Sequence, residues 1–228
     1  MTDVVAHRGA CRMAHENTVE AFRLAVELGA DGIELDARRT ADGAVVVHHD
    51  AALADGRAIV DLAADELPAD VPSLAAALDA CRGAWVNVEI KNDPAESDFD
   101  PGDLVAELIV AELMRRTGDR FIVSSFRLQS IDRCHELMPA LPTGWLVSEV
   151  RDNTVVRTAE RGHVALHPWD PVVTAEVVTR CHAAGLAVNT WTCDDPVRAV
   201  ELASWGVDGI VTNLPDVIRH ALHPPPRF

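Results

Sequence analysis

Short apolar runs rich in β-branched residues alternate along this chain with longer stretches whose apolar residues recur at helical spacing. The short runs predict strands at Val4–Ala6, Gly32–Asp36, Ala84–Ile90, Phe121–Ser124, Thr143–Val147, Val164–Leu166, Ala187–Trp191 and Gly209–Thr212. The amphipathic stretches predict helices, among them Thr18–Leu28, Leu74–Cys81, Leu104–Arg116 and Val197–Trp205. This alternation is typical of parallel strands joined by crossover helices. Eight such units within 228 residues predict an α/β fold, a (β/α)8 TIM barrel.

One element departs from this alternation. Asp42-Gly43 is a strong hairpin signal, and the short apolar run Val45–His48 follows it. We therefore expect a small extra hairpin strand after the second barrel strand. No linker-like segment divides the chain, so residues 1–228 are predicted to form a single domain. The proline-rich end, residues 223–228, is expected to fray.

Residues at the predicted helix ends agree with the helix assignments. Glycine closes three helical patterns, where a left-handed residue is favoured, at Gly29, Gly185 and Gly206. Side chains suited to capping a helix N-terminus stand at Asn17, Asp103 and Asp195, and Pro196 follows as a good first helical residue.

The formal net charge of −16 makes nucleic acid and anionic membranes poor partners, since both would be repelled. A phosphate-bearing substrate would need local positive charge, from a bound cation and a few basic side chains. The five cysteines are widely spaced without a CxxC pair, which favours a reducing compartment over a disulfide framework. With no signal-peptide pattern and no apolar run of spanning length, we expect a cytoplasmic protein; its oligomeric state stays open.

Titratable side chains concentrate at the ends of the first predicted strands. Such strand ends are the functional face of a (β/α)8 barrel. The clusters are His7-Arg8, Glu34 with Asp36, His48-His49-Asp50 and Glu89 with Lys91. Residues two apart on a strand point to the same face, so both carboxylates of the second strand should reach the barrel mouth together.

Each cluster alone is compatible with an ordinary solvated strand end, but their combination indicates a reaction site. Converging carboxylates repel one another unless a cation lies between them, and all-oxygen ligands suit Mg²⁺ or Ca²⁺. Histidine suits proton transfer near neutral pH, and Arg8 and Lys91 supply fixed positive charge for a phosphate. His48 is the weaker of the two adjacent histidines. Phe126 is expected to be a core aromatic residue.

These residues lie in motifs that resemble the glycerophosphodiester phosphodiesterase family. The motifs are His7-Arg8-Gly9, Glu16-Asn17-Thr18, the run Gly29–Asp36, Val47-His48-His49-Asp50, Val88–Lys91, Ser124-Ser125-Phe126, Asn189–Thr192 and Asp208–Thr212. The resemblance covers nearly the whole chain. It departs from the family pattern at His15 (usually Pro), in residues 51–55, at Cys193-Asp194, and at Asn213 where Asp is common.

The resemblance implies a role for each matched residue. It implies that Glu34, Asp36 and Glu89 bind one divalent cation, and that His7 and His49 are the acid/base pair. Arg8 and Lys91 would contact the phosphate, while Glu16 ties the first loop to the site and Trp191 lines the substrate pocket.

The implied reaction is hydrolysis of a small-molecule glycerophosphodiester to glycerol 3-phosphate and an alcohol. One alternative is a lysophospholipase D-like or cyclic-phosphate-forming enzyme acting on a larger lipid. Another is a non-catalytic binding barrel. Neither the headgroup alcohol nor the order of the two histidines follows from the sequence.

Overall fold

A computed structural model describes residues 1–224 of the chain. Of residues 223–228, which were predicted to fray, residues 225–228 lie outside this range. The strands are β1 (Asp3–His7), β2 (Gly32–Arg39), β3 (Val45–Val47), β4 (Trp85–Ile90), β5 (Phe121–Ser125), β6 (Thr143–Val147), β7 (Ala165–Pro168), β8 (Ala187–Thr190) and β9 (Gly209–Thr212).

Helices follow the strands around the outside of the sheet. They are α1 (Val19–Glu27), α2 (Leu74–Ala80), α3 (Leu104–Leu113), α4 (Leu128–Leu137), α5 (Thr154–Glu160), α6 (Ala175–Ala183), α7 (Pro196–Ser204) and α8 (Pro215–Leu222). Short 3-10 turns occupy Ile59–Asp61, Ala64–Glu66 and Asp170–Val172. The predicted strands and helices are all present, with ends that differ by a few residues at most.

Within residues 1–224, eight parallel strands close into a ring, which confirms the predicted barrel. The order is β1-β2-β4-β5-β6-β7-β8-β9, and β9 returns to β1 with Val4 opposite Ile210. The extra strand β3 pairs antiparallel with β2 outside the ring, Arg38 opposite Val46, as the hairpin signal indicated. β2 pairs with β1, β3 and β4. Its side chains are buried along almost its whole length, because the barrel interior covers one face and helices cover the other.

The barrel strands are apolar because helices cover their outer surface. One core cluster centres on α1 to α3 and includes Phe22, Ile33 and Ile109, all without exposed surface. A second cluster centres on α6 and α7 and includes Leu166 and Leu202. Among residues 1–224, no helix is both long and apolar enough to cross a membrane.

The predicted cap of α1, Asn17, is wrong. Thr18, not Asn17, caps α1 and accepts a hydrogen bond from the backbone N–H of Ala21. Asn17 is left-handed, with φ of 57°, and its side chain points into the barrel mouth. Asp195 caps α7 as predicted, followed by Pro196 at the first helical position.

Candidate active site

The parallel register brings the charged strand ends side by side. His7 of β1 lies opposite Glu34 of β2, and Asp36 of β2 lies opposite Glu89 of β4. After β1 the chain turns through Arg8, with φ of 56°, and Gly9, with φ of 80°. A Cβ on Gly9 would come within 2.7 Å of the Ala21 backbone in α1, so only glycine fits the turn that presents Arg8.

Three carboxylates meet at the barrel mouth. Ligand oxygens of Glu34, Asp36 and Glu89 all lie within 4.8 Å of one another. Burial, with the neighbouring charges of Asp36 and Glu89, raises the pKa of Glu34 well above its ordinary value. Burial also raises the pKa of Glu89, although Lys91 opposes the effect. One oxygen of Glu34, Oε1, is buried without a hydrogen-bond partner.

This cluster fits a hard divalent cation. Its donors are carboxylate oxygens, the ligands that Mg²⁺ and Ca²⁺ prefer. A buried carboxylate oxygen without a partner is costly, and a cation would satisfy Glu34 Oε1 and relieve the mutual repulsion. The geometry is therefore that of a candidate metal centre.

Two basic side chains flank the cluster. Arg8 Nε lies 3.2 Å from Asp36 Oδ2, and Lys91 Nζ lies 3.0 Å from Glu89 Oε1 and 3.6 Å from Asp36 Oδ1. Burial alone would raise the pKa of Asp36, but Lys91 and Arg8 outweigh it and hold that pKa below its ordinary value. The site thus keeps fixed positive charge next to the carboxylates, where an anionic phosphate could bind.

His7 is held at one ring nitrogen by the last barrel strand. Its Nδ1 lies 2.7 Å from Asn213 Oδ1, and its Nε2 lies 3.9 Å from Glu34 Oε2. Asn213 must present its oxygen to His7, because its amide nitrogen donates to the carboxylate of Asp194 at 2.7 Å. Nδ1 of His7 therefore carries the proton. Burial, followed by the charge of Arg8, lowers the pKa of His7, which leaves Nε2 as a free base.

His49 follows the extra strand and is held on two sides. Its Nδ1 lies 2.7 Å from Asp50 Oδ1, and its carbonyl oxygen accepts hydrogen bonds from the guanidinium of Arg38. The hydrogen bond to His49 lowers the pKa of Asp50. His48, the neighbour judged weaker, turns away and its ring bonds the backbone carbonyl of Asp50.

A pocket of about 250 Å³ contains most of these side chains. His7, Arg8, Glu34, His49, Glu89 and Lys91 line one part of it. Phe126, Leu146, Trp191 and Val211 form an apolar part, and the buried His167 lies among them. Glu16 does not line this pocket; it pairs with Arg8 at 2.9 Å from outside.

The aromatic residues correct a prediction. Phe126 is not a core residue: it is 43% exposed and packs edge-on against Trp191, with ring centroids 5.3 Å apart. Trp191 follows β8, which ends at Thr190, and donates its indole N–H to the carbonyl of His167. Both rings line the pocket, where they present an apolar surface to a ligand.

Three residues that support the site were missed by sequence reasoning. Asn17 donates its amide to Asp36 at 2.8 Å, Asn213 holds His7, and the fully buried Arg38 holds the backbone of His49. For Arg38, a signal was its position two residues after Asp36, which places both on the same face once the strand extends to Arg39. The contact between His7 and Asn213 spans 206 positions, and no local pattern could have indicated it.

Comparison with known proteins places this site in a family. The model of the glycerophosphoryl diester phosphodiesterase family matches residues 7–217. A glycerophosphodiester phosphodiesterase of Caldanaerobacter subterraneus subsp. tengcongensis is 31% identical, over 95% of this chain and 96% of its own length. A glycerophosphodiester phosphodiesterase from Parabacteroides distasonis superposes with a TM-score of 0.86 at 28% identity, covering 97% of each chain.

The fold is also shared with more distant structures. A phosphodiesterase from Oleispira antarctica, solved in complex with the product sn-glycerol-3-phosphate, superposes with a TM-score of 0.89 at 24% identity, covering 97% of each chain. Family match and curated relatives extend over nearly the whole barrel, which sets aside the non-catalytic alternative. The chain belongs to the glycerophosphoryl diester phosphodiesterase family and is a phosphodiesterase.

Proposed function

We propose that the protein hydrolyses small glycerophosphodiesters to glycerol 3-phosphate and an alcohol, with one divalent cation, Mg²⁺ or Ca²⁺, held by Glu34, Asp36 and Glu89. The observation that carries this proposal is the meeting of these carboxylates, two basic side chains and two histidines around one pocket. The relatives' names point to the same substrate class.

The basic side chains would orient the substrate. Arg8 and Lys91 both line the pocket beside the carboxylates and would bind two phosphate oxygens, Arg8 through its planar fork. Trp191 and Phe126 would cover the glycerol carbons. The bound cation would supply Lewis-acid polarisation of the phosphate and neutralise its charge.

The histidines would move the protons. His7 carries its proton on Nδ1, so Nε2 can accept the proton of the attacking hydroxyl, from water or from the adjacent glycerol oxygen. As that oxygen bonds to phosphorus, the bond to the alcohol oxygen breaks. Attack by water gives glycerol 3-phosphate directly, whereas attack by the glycerol oxygen gives a cyclic phosphate that a water molecule must then open to glycerol 3-phosphate before release. His49, whose Nδ1 faces Asp50, would donate its Nε2 proton to the departing alcohol. Glu16 would keep Arg8 in place through their ion pair.

Release of glycerol 3-phosphate from glycerophosphocholine, measured with Mg²⁺, Ca²⁺ or EDTA, tests the reaction and its cation. We expect release that requires a divalent cation and that is lost in His7→Ala and Glu34→Ala. His220→Ala, an exposed histidine on α8, is the matched control. A wild-type rate in His7→Ala would contradict the acid/base assignment.

The larger-lipid alternative predicts different products. An enzyme of that kind would prefer lysophosphatidylcholine over glycerophosphocholine or would release a cyclic phosphate. Chromatography of the products from both substrates under identical conditions separates the two reactions.

A further inference from the structure

A second cavity opens next to the active-site pocket, between the loop after β1 and the loop after β3. We call it the side groove; its inner part has a volume of about 520 Å³. It is lined by Cys11, His15, Glu16, His48, His49 and Leu53, among others. An outer part of about 250 Å³ continues from the same loops toward Pro68 and Asp70.

His49 connects the two cavities, because its side chain lines both the pocket and the side groove. The apolar part of the pocket lies elsewhere: Leu146 belongs to β6, which faces β1 across the ring of eight strands. A phosphodiester held between these parts would therefore extend one substituent toward Leu146 and Trp191 and the other past His49 into the side groove.

The side groove carries negative charge. Glu16, Asp50, Asp55 and Asp70 line its two parts, and within residues 1–224 no lysine or arginine lines either. Arg8 pairs with Glu16 and Arg57 pairs with Asp55, but both basic side chains lie outside the lining. Among the described residues, Asp50 and Asp70 have no lysine or arginine partner, and their charge, in a chain of net charge −16, favours a cationic occupant over a neutral or anionic one.

Small apolar side chains complete the lining. Ala52, Leu53 and Ala54 lie along the inner part, beside the carboxylates. Methyl and methylene groups attached to an ammonium can pack on such a surface while the charge faces the carboxylates of the two parts. The lining thus offers both kinds of contact that an amino-alcohol headgroup requires: carboxylates for its ammonium and apolar side chains for its methyl or methylene groups.

We propose that the side groove is the binding subsite for the departing alcohol and that it favours amino alcohols such as choline and ethanolamine. This inference rests on the proposed function, in which His49 donates its proton to the departing alcohol. The oxygen of that alcohol must lie beside His49, and the side groove is the space on the far side of this histidine.

Steric blocking tests the position of the subsite. We expect Ala54→Phe to lower kcat/KM for glycerophosphocholine relative to the methyl ester of glycerol 3-phosphate by about tenfold or more, because the methyl group does not reach the side groove. Ala184→Phe, at an exposed position on the C-terminal end of α6, is the matched control and should leave this ratio unchanged.

Charge removal tests the class of headgroup. Combined Asp55→Asn and Asp70→Asn should lower the ratio of kcat/KM for glycerophosphocholine to that for glycerophosphoglycerol by about two- to fivefold, the usual scale for exposed charges. Asp119→Asn with Asp152→Asn, two exposed acidic residues outside the groove, should not change it. Added salt should reduce the wild-type ratio toward that of the groove variant.

The outcomes separate the two proposals. Cation-dependent hydrolysis of both headgroups, with ratios unaffected by Ala54→Phe and by the Asp55/Asp70 variant, would overturn the side-groove inference and leave the reaction intact. A wild-type protein that hydrolyses none of these esters would overturn the proposed function itself.

Discussion

The guanidinium of Arg38 donates two hydrogen bonds to the carbonyl oxygen of His49, at 2.9 Å from Nε and 2.5 Å from Nη2. Arg38 has no exposed surface, and its remaining donors bond the carboxylates of Glu96 and Asp98. A side chain of β2 therefore ties the backbone of His49 to the loop after β4. The buried charge is paired and hydrogen-bonded, as its burial requires.

Arg38→Met should lower both stability and turnover. It leaves the buried Asp98 carboxylate without its partner, which typically costs about 3 kcal/mol or more in the free energy of unfolding. Displacement of His49 should reduce kcat by about 10- to 100-fold with a smaller effect on KM. Urea unfolding and steady-state kinetics measure the two effects.

Arg39 is the matched control for this substitution. It lies next in the sequence but faces Asp100 at 3.8 Å and is partly exposed. We expect Arg39→Met to have little effect on the free energy of unfolding and on kcat. Equal losses in the two variants would show that Arg38 acts through general stability and not through His49.

Asn213→Ala should impair the base without unfolding the barrel. Asn213 accepts from Nδ1 of His7, and its loss frees the ring to rotate and to change tautomer. Removal of such a supporting hydrogen bond typically costs about 10- to 100-fold. We expect this loss in kcat, with KM nearly unchanged. Cys11→Ala, assayed on the methyl ester of glycerol 3-phosphate because that ester does not reach the side groove, is the control. Its thiol donates to the same oxygen at 3.2 Å but holds no reacting group, so kcat should stay close to wild type.

Glu34→Gln should have opposite effects on stability with and without metal. Burial and neighbouring carboxylates raise the pKa of Glu34, so its contribution to stability is present at low pH and is lost as the pH rises through its folded pKa. In EDTA at pH 8 the variant should therefore melt at a higher temperature than wild type.

Added Mg²⁺ should reverse this order. A cation at one hundred times its dissociation constant would stabilise wild type by about 2.7 kcal/mol and the variant by less. Glu20→Gln, an exposed residue of α1, is the control and should respond to Mg²⁺ as wild type does. If Mg²⁺ raised the melting temperature of Glu34→Gln as much as that of wild type, the result would argue against the carboxylates as the cation site.

His167 should make the fold sensitive to acid. It is 1% exposed, its Nε2 faces the amide of Asn189 at 3.0 Å, and burial lowers its pKa to about 4. Against an ordinary pKa of about 6.5, the unfolded chain takes up this proton first, so the contribution to stability is complete above pH ~6.5 and is lost as the pH falls to about 4.

The size of that loss is on the order of 3 kcal/mol. Unfolding free energies of wild type and His167→Gln, measured by urea titration between pH 7 and pH 4, should converge as the pH falls. Curves that stay parallel across this range would contradict the assignment of the acid sensitivity to His167.

The barrel could be predicted because its signals are local. Runs such as Thr143–Val147 and Gly209–Thr212 are apolar on both faces, and the observed strands have the same limits. Glu34 and Asp36 point to the same face of β2, and this could be predicted from the two-residue repeat of a strand. Single-domain organisation and a cytoplasmic location stay predictions.

The wrong predictions concern residues that contact a residue far away in the sequence. Asn17 suits a helix cap, but Thr18 takes that position and Asn17 bonds Asp36 instead. Phe126 follows a buried strand, yet Trp191 from across the barrel holds it at the pocket. Neither partner is near in sequence, so no local pattern could identify it.

The sequence by itself therefore determined the strand and helix pattern, the closure of the barrel and the set of charged residues at the strand ends. Only the tertiary structure decided that Asn213 sets the proton of His7, that Arg38 holds His49, and that His49 stands between two cavities. The reason is physical: strand periodicity acts over a few residues, whereas these contacts exist only after closure of the ring brings β9 beside β1 and fixes the loops against β2.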